Sequence, residues 1–470
     1  MEGILSAIAS FLWGAPVLIL IAAVGIMFAI RTKFFQFRNF GHIMKNTAGQ
    51  MFKKGGGASG KEGTLTPLQA VSSALAGCVG TANIAGVATA MVIGGPGAVF
   101  WMWVIALLGM LTKCVEVTLG QYYRIKGEDG VYYGGPMYYI ERGMGKKWKP
   151  LAIIFSITII LGGLGTAAFA QPYTMSTAIS STFGIPTWVV TVAAALICGI
   201  VLIGGVKSIG SFCERITPTM CIIYTIGALG VILFNIKNVP WAIASIFKYA
   251  FAPMPAIGGL AGSTMMLALR QGAARGTFSN EAGCGSSPIT HATAITDHPF
   301  KEGLYGCFEV FVDTIVVCSL TSLSILVAGP EVYQSGLQAE ALTISAFSTV
   351  YKGFAGIMVT IPLALFAFST MVGWEINYES AFFYIFPKAK NSKAFKLFIR
   401  LLWLVPGFLA LGKTPQLIWT IVDIVSGFWC IPNCIALLAL SGVFMKIYRD
   451  YNEKYILKTK PVTEPLEMPE

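Results

Sequence analysis

Long apolar runs separated by short polar loops dominate the chain as far as about residue 445. Most runs approach or exceed the roughly 20 residues that an α-helix needs to cross a bilayer. Two shorter amphipathic segments, 240–250 and 338–350, are predicted to lie in the membrane interface. The pattern predicts an all-α polytopic membrane protein with eleven spans, at residues 11–30, 66–94, 97–123, 151–182, 187–206, 213–236, 257–295, 303–328, 354–386, 397–412 and 416–445.

The second run contains a stretch that a continuous helix tolerates poorly. Residues 76–86 read Ala-Gly-Cys-Val-Gly-Thr-Ala-Asn-Ile-Ala-Gly. Each glycine costs a helix interior about 1 kcal/mol relative to alanine, and unwound backbone in a membrane is tolerated only inside protein or along a cavity. Residues 276–283 repeat the pattern with one extra residue before the asparagine. Two glycine-broken helices in matching positions indicate the binding site of a transporter.

Composition agrees with a membrane protein, since 55% of the residues are hydrophobic, 12% are charged and the mean hydropathy is +0.70. A soluble domain has about 25% charged residues. The net charge of +11 would suit a nucleic-acid partner, but the basic residues lie in short loops between apolar runs. That arrangement sets membrane orientation, so nucleic-acid binding is disfavoured. The ten cysteines follow neither a zinc nor a disulfide spacing.

Loop charges predict how the spans are oriented. Alternate loops and the tail hold 26 lysines and arginines, whereas the opposite loops hold only Lys237, Lys248, Lys352 and Lys413. The positive-inside rule therefore places the N-terminus outside and the C-terminus in the cytoplasm. The first span has no basic residue before it and is expected to be an anchor, not a cleaved signal peptide. We expect a prokaryotic plasma-membrane protein whose last residues, 458–470, are disordered.

The predicted orientation relates the two broken helices to each other. The first runs from inside to outside, and the second, five spans later, runs from outside to inside. Because five is an odd number of spans, two equivalent five-helix units separated by it would have opposite orientations in the membrane. We therefore expect one transporter domain over residues 1–445, with an anchor helix at 11–30, a first repeat at 66–236 and an inverted second repeat at 257–445, followed by a cytoplasmic tail at 446–470.

The breaks suit a zwitterionic or neutral ligand bound together with a monovalent cation. A half-helix N-terminus attracts a carboxylate, and freed carbonyls with hydroxyl groups coordinate sodium. Close helix packing is the alternative explanation of the glycines, but it accounts less well for Thr81 and Asn83. The three histidines form neither a metal site nor a pair with a nucleophile, so we expect no cofactor and no enzyme.

Ionisable side chains inside spans are functional by default, because burying them is costly. Lys113 and Glu116 are predicted to pair, with a structural role as plausible as a functional one. Arg270 and Arg275 flank the second break, where either could stabilise carbonyl groups or gate the outer vestibule. Glu281 could hold the unwound segment or carry a proton. Asp313, followed by Thr314, is a candidate cation ligand, with structural hydrogen bonding as the alternative.

Residues 94–109 read Gly-Gly-Pro-Gly-Ala-Val-Phe-Trp-Met-Trp-Val-Ile-Ala-Leu-Leu-Gly. This stretch resembles the signature of the alanine or glycine:cation symporter family, the sodium:alanine symporters. Five further stretches carry the same likeness, namely residues 83–88, 134–138, 278–283, 296–299 and 313–318. The resemblance runs from the first span to the last.

The resemblance implies the leucine-transporter-like fold of the amino acid–polyamine–organocation superfamily and import of a small amino acid coupled to sodium. A proton-coupled symporter and a passive amino-acid channel are the alternatives. By similarity the substrate would meet Thr81, Asn83, Gln171, Phe278, Asn280, Thr370 and Trp374. A sodium ion would meet carbonyls of Ala76 and Val79 and hydroxyls of Ser369 and Thr370, and Asp313 is a further candidate cation ligand. Thr370 is not assigned securely to both sites.

One residue departs from the family pattern. Many members have glycine where this chain has Ala82. A methyl group there would narrow the pocket or change how the backbone unwinds. The choice among alanine, glycine, serine and glutamine as substrate therefore stays open.

Overall fold

The computed structural model describes residues 2–51, 64–256, 260, 262–464 and 466–469. These residues are mostly helical, with one antiparallel pair of strands, β1 (Ile125–Lys126) and β2 (Tyr132–Tyr133). Seven described stretches are long and apolar enough to cross a membrane: Gly3–Arg31, Gly97–Tyr122, Lys146–Phe183, Gly205–Phe234, Pro299–Val327, Ala339–Ile385 and Pro415–Ala439. The all-α membrane fold is thereby confirmed, whereas the count of eleven spans and their orientation stay predictions. Lys53, Lys54, Lys61 and the beginning of the predicted span at 257 lie outside the described residues.

The first half of the chain contains α1 (Glu2–Leu12), α2 (Ala15–Arg31), α3 (Phe35–Arg38), α4 (Phe40–Asn46), α5 (Ala48–Met51), α6 (Pro67–Cys78), α7 (Ala85–Gly94), α8 (Gly97–Tyr122), α9 (Pro136–Gly143), α10 (Lys149–Gly165), α11 (Gln171–Phe183), α12 (Thr187–Ile203), α13 (Gly205–Phe234) and α14 (Val239–Phe251). The second half contains α15 (Met265–Asn280), α16 (Ser287–His291), α17 (Pro299–Val310), α18 (Ser319–Val327), α19 (Pro330–Tyr333), α20 (Ala339–Tyr351), α21 (Ala355–Gly373), α22 (Glu375–Ile385), α23 (Lys393–Leu409), α24 (Pro415–Ala439) and α25 (Ser441–Tyr451).

Both predicted breaks are present. The first separates α6 from α7 with a single 3₁₀ turn at Thr81–Asn83, and the second separates α15 from α16 over residues 281–286. Each half is too short to span a bilayer alone, which is why neither broken helix is among the seven long stretches. Two further helices widen into π-helical turns, at Thr166–Ala170 before α11 and at Phe311–Cys318 between α17 and α18. Such turns are frequent at functional sites.

The most extensive helix contacts are those of α8 with α15 and with α17. Small residues permit this approach. A methyl group added at Gly306 of α17 would lie 2.8 Å from the Lys113 carbonyl oxygen of α8. The broken helix α6 packs in turn against α13, α21 and α16. The two breaks therefore lie in the interior of the bundle, as unwound backbone in a membrane requires.

Two sequence-based expectations need correction. Lys113 pairs with Glu309 of α17, with 3.0 Å between Nζ and Oε2, while the Glu116 carboxylate accepts a hydrogen bond from Asn433 of α24. Both side chains find their partners on neighbouring helices, and not on their own helix. The tail is also ordered in part, because the Glu467 carbonyl accepts from the Tyr122 hydroxyl at 3.0 Å.

Candidate functional site

The first break begins where α6 ends at Cys78. The helix itself starts in a capping box, in which the Thr66 hydroxyl accepts from the Gln69 backbone and the Gln69 side chain accepts from the Thr66 backbone, both at 3.2 Å. After the helix ends, side chains take over the freed backbone groups. Asn83 Oδ1 accepts from the Gly80 N–H at 2.9 Å, and Gln171 Oε1 accepts from the Thr81 N–H at 3.1 Å. The unwound segment is therefore fixed in place.

The second break depends on residues with positive φ. Glu281, Gly283 and Gly285 have φ of 55°, 92° and 77°, a region that favours glycine and costs other residues energy. Asn280 Oδ1 accepts from the Ala282 N–H at 3.0 Å. The Glu281 carboxylate accepts from the Trp374 indole at 2.8 Å and from the Ser286 hydroxyl. Glu281 thus holds the unwound segment, one of the two roles considered from the sequence.

Asp313 joins the two breaks. Its Oδ1 accepts from Asn83 Nδ2 at 2.7 Å, and its Oδ2 accepts from the hydroxyls of Ser279 and Thr314, each at 2.7 Å. The carboxylate is fully buried and lies in the π-helical turn after α17. A carboxylate beside two hydroxyl oxygens is a donor set for a hard cation. The Asn280 amide completes the group by donating to Thr314 at 3.0 Å.

The residues that the resemblance implies for a sodium ion, on α6 and α21, come together only in part. The Thr370 hydroxyl donates to the Ala76 carbonyl at 2.9 Å, which joins α21 to the end of α6. The Ser369 hydroxyl donates instead to the Phe366 carbonyl at 3.0 Å and lies 3.2 Å from the Met220 sulfur. Val79 is buried directly after α6. Thr370 and Ala76 are therefore adjacent, while the Ser369 hydroxyl is engaged elsewhere.

The Thr81 hydroxyl is buried and has no hydrogen-bond partner among the described residues. Its neighbours Gly80 and Asn83 are satisfied at the first break, whereas the hydroxyl of Thr277, at the matching position of the second stretch, is unpaired as well. Leaving a buried polar group unpaired costs about 1–3 kcal/mol. A ligand that accepts from or donates to the Thr81 hydroxyl would recover that energy.

Beside Thr81 lies an apolar wall. Ala82, Ala170 and Phe278 form a buried cluster with Ile418 and Val422 of α24. Phe169, Tyr173 and Trp419 pack against this cluster, and Trp419 meets Phe278 edge to face with ring centroids 6.3 Å apart. A wall of this kind favours a small apolar side chain.

Trp374 is placed differently from the other predicted substrate residues. Its indole donates to Glu281 and stacks on Trp429 with centroids 5.2 Å apart. A methyl group added at Gly77 would lie 3.3 Å from its Cδ1 atom. Trp374 therefore packs against α6 and supports the second break, and its contact with a substrate stays a prediction.

Sequence reasoning missed several contacts of this site. Ser279 lies inside a stretch that was singled out, so its hydroxyl could have been named. Asp423 is an ionisable residue inside the predicted span 416–445 and could have been named for that reason. Trp419 carries no local signal, because only the packing of α24 brings it to α15. Arg275 forms a two-pronged ion pair with Asp423, with N–O distances of 2.8 and 3.1 Å, and its guanidinium lies 5.1 Å from the Trp419 ring.

We expect Arg275→Lys to weaken binding of the small amino acid that the family resemblance implies, by about tenfold. Lysine keeps the charge but loses the planar fork that holds both carboxylate oxygens of Asp423, so the contact between α15 and α24 loosens beside Phe278. Equilibrium binding of labelled alanine measures the effect. Arg215→Lys, at an exposed arginine of α13, is the matched control. Equal affinities for the two variants would contradict a role for this ion pair.

The sequence pattern of the "Sodium:alanine symporter family" matches residues 1–465. An "Uncharacterized transporter" of Haemophilus influenzae is 40% identical over 97% of both chains. "Sodium/alanine symporter AgcS" of Methanococcus maripaludis is 36% identical over 94% of this chain and 96% of its own. The crystal structure of MhsT in complex with L-phenylalanine is 15% identical and superimposes with a TM-score of 0.53, over 82% of this chain and 90% of that one, which shows the shared leucine-transporter-like fold.

Proposed function

Because the chain belongs to the sodium:alanine symporter family, we propose that it imports a small neutral amino acid together with Na⁺ by alternating access. The family is one of transporters and not of enzymes. Alanine and glycine are the first candidates for the substrate, with serine and glutamine next. The proposed orientation, with the N-terminus outside and the C-terminus in the cytoplasm, follows from the loop charges.

The unpaired hydroxyl of Thr81 is the observation that carries the substrate site. It lies at the unwound segment, beside the Gln171 side chain and the apolar wall that contains Ala82 and Phe278. An amino acid offers both a polar end for this hydroxyl and a small side chain for the wall. Asn83, Asn280 and Thr370 lie at the same two breaks, and we assign them to the substrate or its ion.

The proposed sodium position is beside Asp313. The carboxylate receives hydrogen bonds from Asn83 of the first break and Ser279 of the second, so an ion there would organise both unwound segments at once. Binding of the ion would then raise the affinity for the amino acid. The Ala76–Thr370 contact at 2.9 Å supports a second position, with Val79 and Ser369 as further ligands.

Uptake by purified protein in proteoliposomes tests this function. Labelled alanine should accumulate above the external concentration when an inward sodium gradient is imposed. A proton gradient without sodium tests the proton-coupled alternative. Flux without accumulation would support a passive channel instead, and uptake indifferent to both gradients would contradict symport.

Replacement of Ala82 by glycine should relax substrate selection. The Ala82 methyl group is buried in the apolar wall with Phe278, and removing it frees the volume of one methyl group. One methylene is worth about 0.8 kcal/mol, so affinity for glutamine relative to alanine should rise about fourfold. Competition against labelled alanine measures this ratio. Ala90→Gly removes a buried methyl group of α7 that is not part of the apolar wall, and it should leave the ratio unchanged.

A further inference from the structure

Four buried titratable side chains form a chain that starts at the second break. They are Lys113 of α8, His291 at the end of α16, and Glu302 and Glu309 of α17, each at most 1% exposed. Lys113 Nζ lies 3.0 Å from Glu309 Oε2. His291 Nδ1 lies 2.7 Å from Glu302 Oε1, and its Nε2 is hydrogen-bonded to Glu309. The transport site described above uses none of them.

Lys113 connects this chain to both breaks. Its ammonium donates to the Asn280 carbonyl at 2.7 Å and to the Cys78 sulfur at 3.0 Å. These two residues end α15 and α6, respectively. The carbonyl end of a helix attracts a cation, so the ammonium holds the two half-helices together. A change in the charge of Glu309 therefore alters the contacts that Lys113 makes with both breaks.

The hydrogen bonds of His291 fix the number of protons in the group. A neutral imidazole carries one N–H and one bare nitrogen, yet both ring nitrogens here face carboxylate oxygens. Both contacts are hydrogen bonds only if one extra proton is present, on the imidazole or on a carboxylate. Without that proton, a nitrogen lone pair would face a carboxylate lone pair at hydrogen-bond distance, which is repulsive.

We propose that Glu302, His291 and Glu309, the carboxylate–histidine triad, form a proton-binding site that is filled in this conformation and empties when α16 moves away from α17. An N–H or O–H bond forms when a proton arrives from water, and the same bond breaks when the proton returns to water. His291 lies on the half-helix after the second break, so a movement of α16 relative to α17 during alternating access would separate it from its carboxylates. The inference rests on the proposed transport function.

Groups of both signs surround the triad: the cations Lys113 and Arg124 oppose an extra proton there, and the Glu281 carboxylate favours one. The Lys113 ammonium faces Glu309, the Arg124 guanidinium and the Tyr305 hydroxyl lie near Glu302, and the Cys78 thiol and Glu281 lie beyond Lys113. On α22, Asn377 faces α16, and its amide oxygen accepts a hydrogen bond from the Thr290 hydroxyl at 2.9 Å. Helices α4 and α25 also pack on α17, but His42 there meets Tyr451, and Asp450 meets His298.

The charge balance gives the sign of the pH dependence. With the extra proton, Lys113 and the triad carry two positive and two negative charges and are neutral together. Loss of the proton leaves one net negative charge in a buried group, which is unfavourable. Lower pH therefore stabilises this conformation, and higher pH favours conformations in which the triad is separated.

The first experiment counts protons exchanged with the medium when ligands bind. Purified protein in nanodiscs and weakly buffered solution with a pH dye receives saturating sodium and alanine at several pH values. We expect an exchange of up to about one proton per protein. His291→Gln should abolish the exchange, and His298→Gln should retain it. No exchange in the wild type, or an equal exchange in His291→Gln, would overturn the proposal.

A second measurement does not depend on how well the His291 variant folds. The chain has only three histidines, so protein labelled with ¹³C-histidine gives three ring signals that His42→Gln and His298→Gln assign. Burial lowers the pKa of both His42 and His298, which lie outside the membrane-spanning segments. The remaining signal should move between its protonated and neutral positions when sodium and alanine are added between about pH 6 and pH 9.

A His291 signal that stays at one position under all these conditions, together with no proton exchange in the first experiment, would contradict the proton site. Failure of the triad proposal can be distinguished from failure of the proposed transport function. A wild type that accumulates alanine with sodium but exchanges no proton overturns the triad proposal alone. A protein that accumulates no alanine overturns the proposed function, whatever the His291 signal does as pH is changed.

Discussion

Asp313→Asn is expected to remove sodium stimulation of alanine uptake. The asparagine keeps the shape of the side chain but loses the negative charge and cannot accept from Asn83, Ser279 and Thr314 together. A hydrogen bond to a charged group is worth about 1.5–3 kcal/mol, so the loss of one lowers sodium affinity by about 10- to 150-fold. The sodium dependence of initial uptake rates in proteoliposomes measures the loss.

The Asp313 variant needs a control for folding. Asp129→Asn changes another hydrogen-bonded aspartate, which accepts from the Tyr133 hydroxyl at 2.7 Å far along the chain from either break. It should keep sodium stimulation. Size-exclusion profiles and thermal unfolding in detergent establish that both variants fold. An Asp313→Asn protein that folds and is stimulated normally by sodium would show that Asp313 has only a structural role.

Gly80→Ala is the second substitution for which we expect a large effect. A methyl group at Gly80 would lie 2.9 Å from Thr370 Oγ1 and 3.2 Å from Gln171 Nε2. Neither neighbour moves freely, because Thr370 donates to the Ala76 carbonyl at 2.9 Å and Gln171 accepts from the Thr81 N–H at 3.1 Å. Overpacking of this kind costs about 1–3 kcal/mol, equivalent to about 5- to 150-fold in alanine affinity.

Alanine binding at saturating sodium measures this effect. Gly353→Ala is the matched control, since no atom lies within 4 Å of a methyl group added at that glycine. The φ of Gly80 is −122°, so an alanine side chain causes no backbone strain there. Any loss of affinity is then due to the contacts of the added methyl group. Wild-type affinity in Gly80→Ala would mean that the unwound segment is looser than its hydrogen bonds indicate.

Much of the fold could be predicted from the sequence, because membrane helices must satisfy their backbone groups internally and are long and apolar for that reason. The breaks could be located because glycine and small polar residues interrupt two of these runs. The identities of several side chains at the breaks, among them Thr81, Asn83 and Asn280, followed from the same stretches. These features are local and can be seen in a few consecutive residues.

The pairing of side chains could not be predicted in this way. Asn83 and Asp313 were each singled out, yet their contact at 2.7 Å depends on how α17 and its π-helical turn pack against the first break. Lys113 was expected to pair with Glu116 on its own helix, but a buried carboxylate on α17 is its partner. In an interior without water, the neighbouring helix offers partners that spacing along one helix does not show.

We propose that amino acid and sodium bind at one site formed by the two breaks. Equilibrium binding tests it most directly, by measuring the Kd of alanine at several sodium concentrations and the Kd of sodium at several alanine concentrations. Linkage requires both to change by the same factor, and we predict about 5- to 150-fold, a coupling of about 1–3 kcal/mol. An alanine Kd that is independent of sodium would contradict the account.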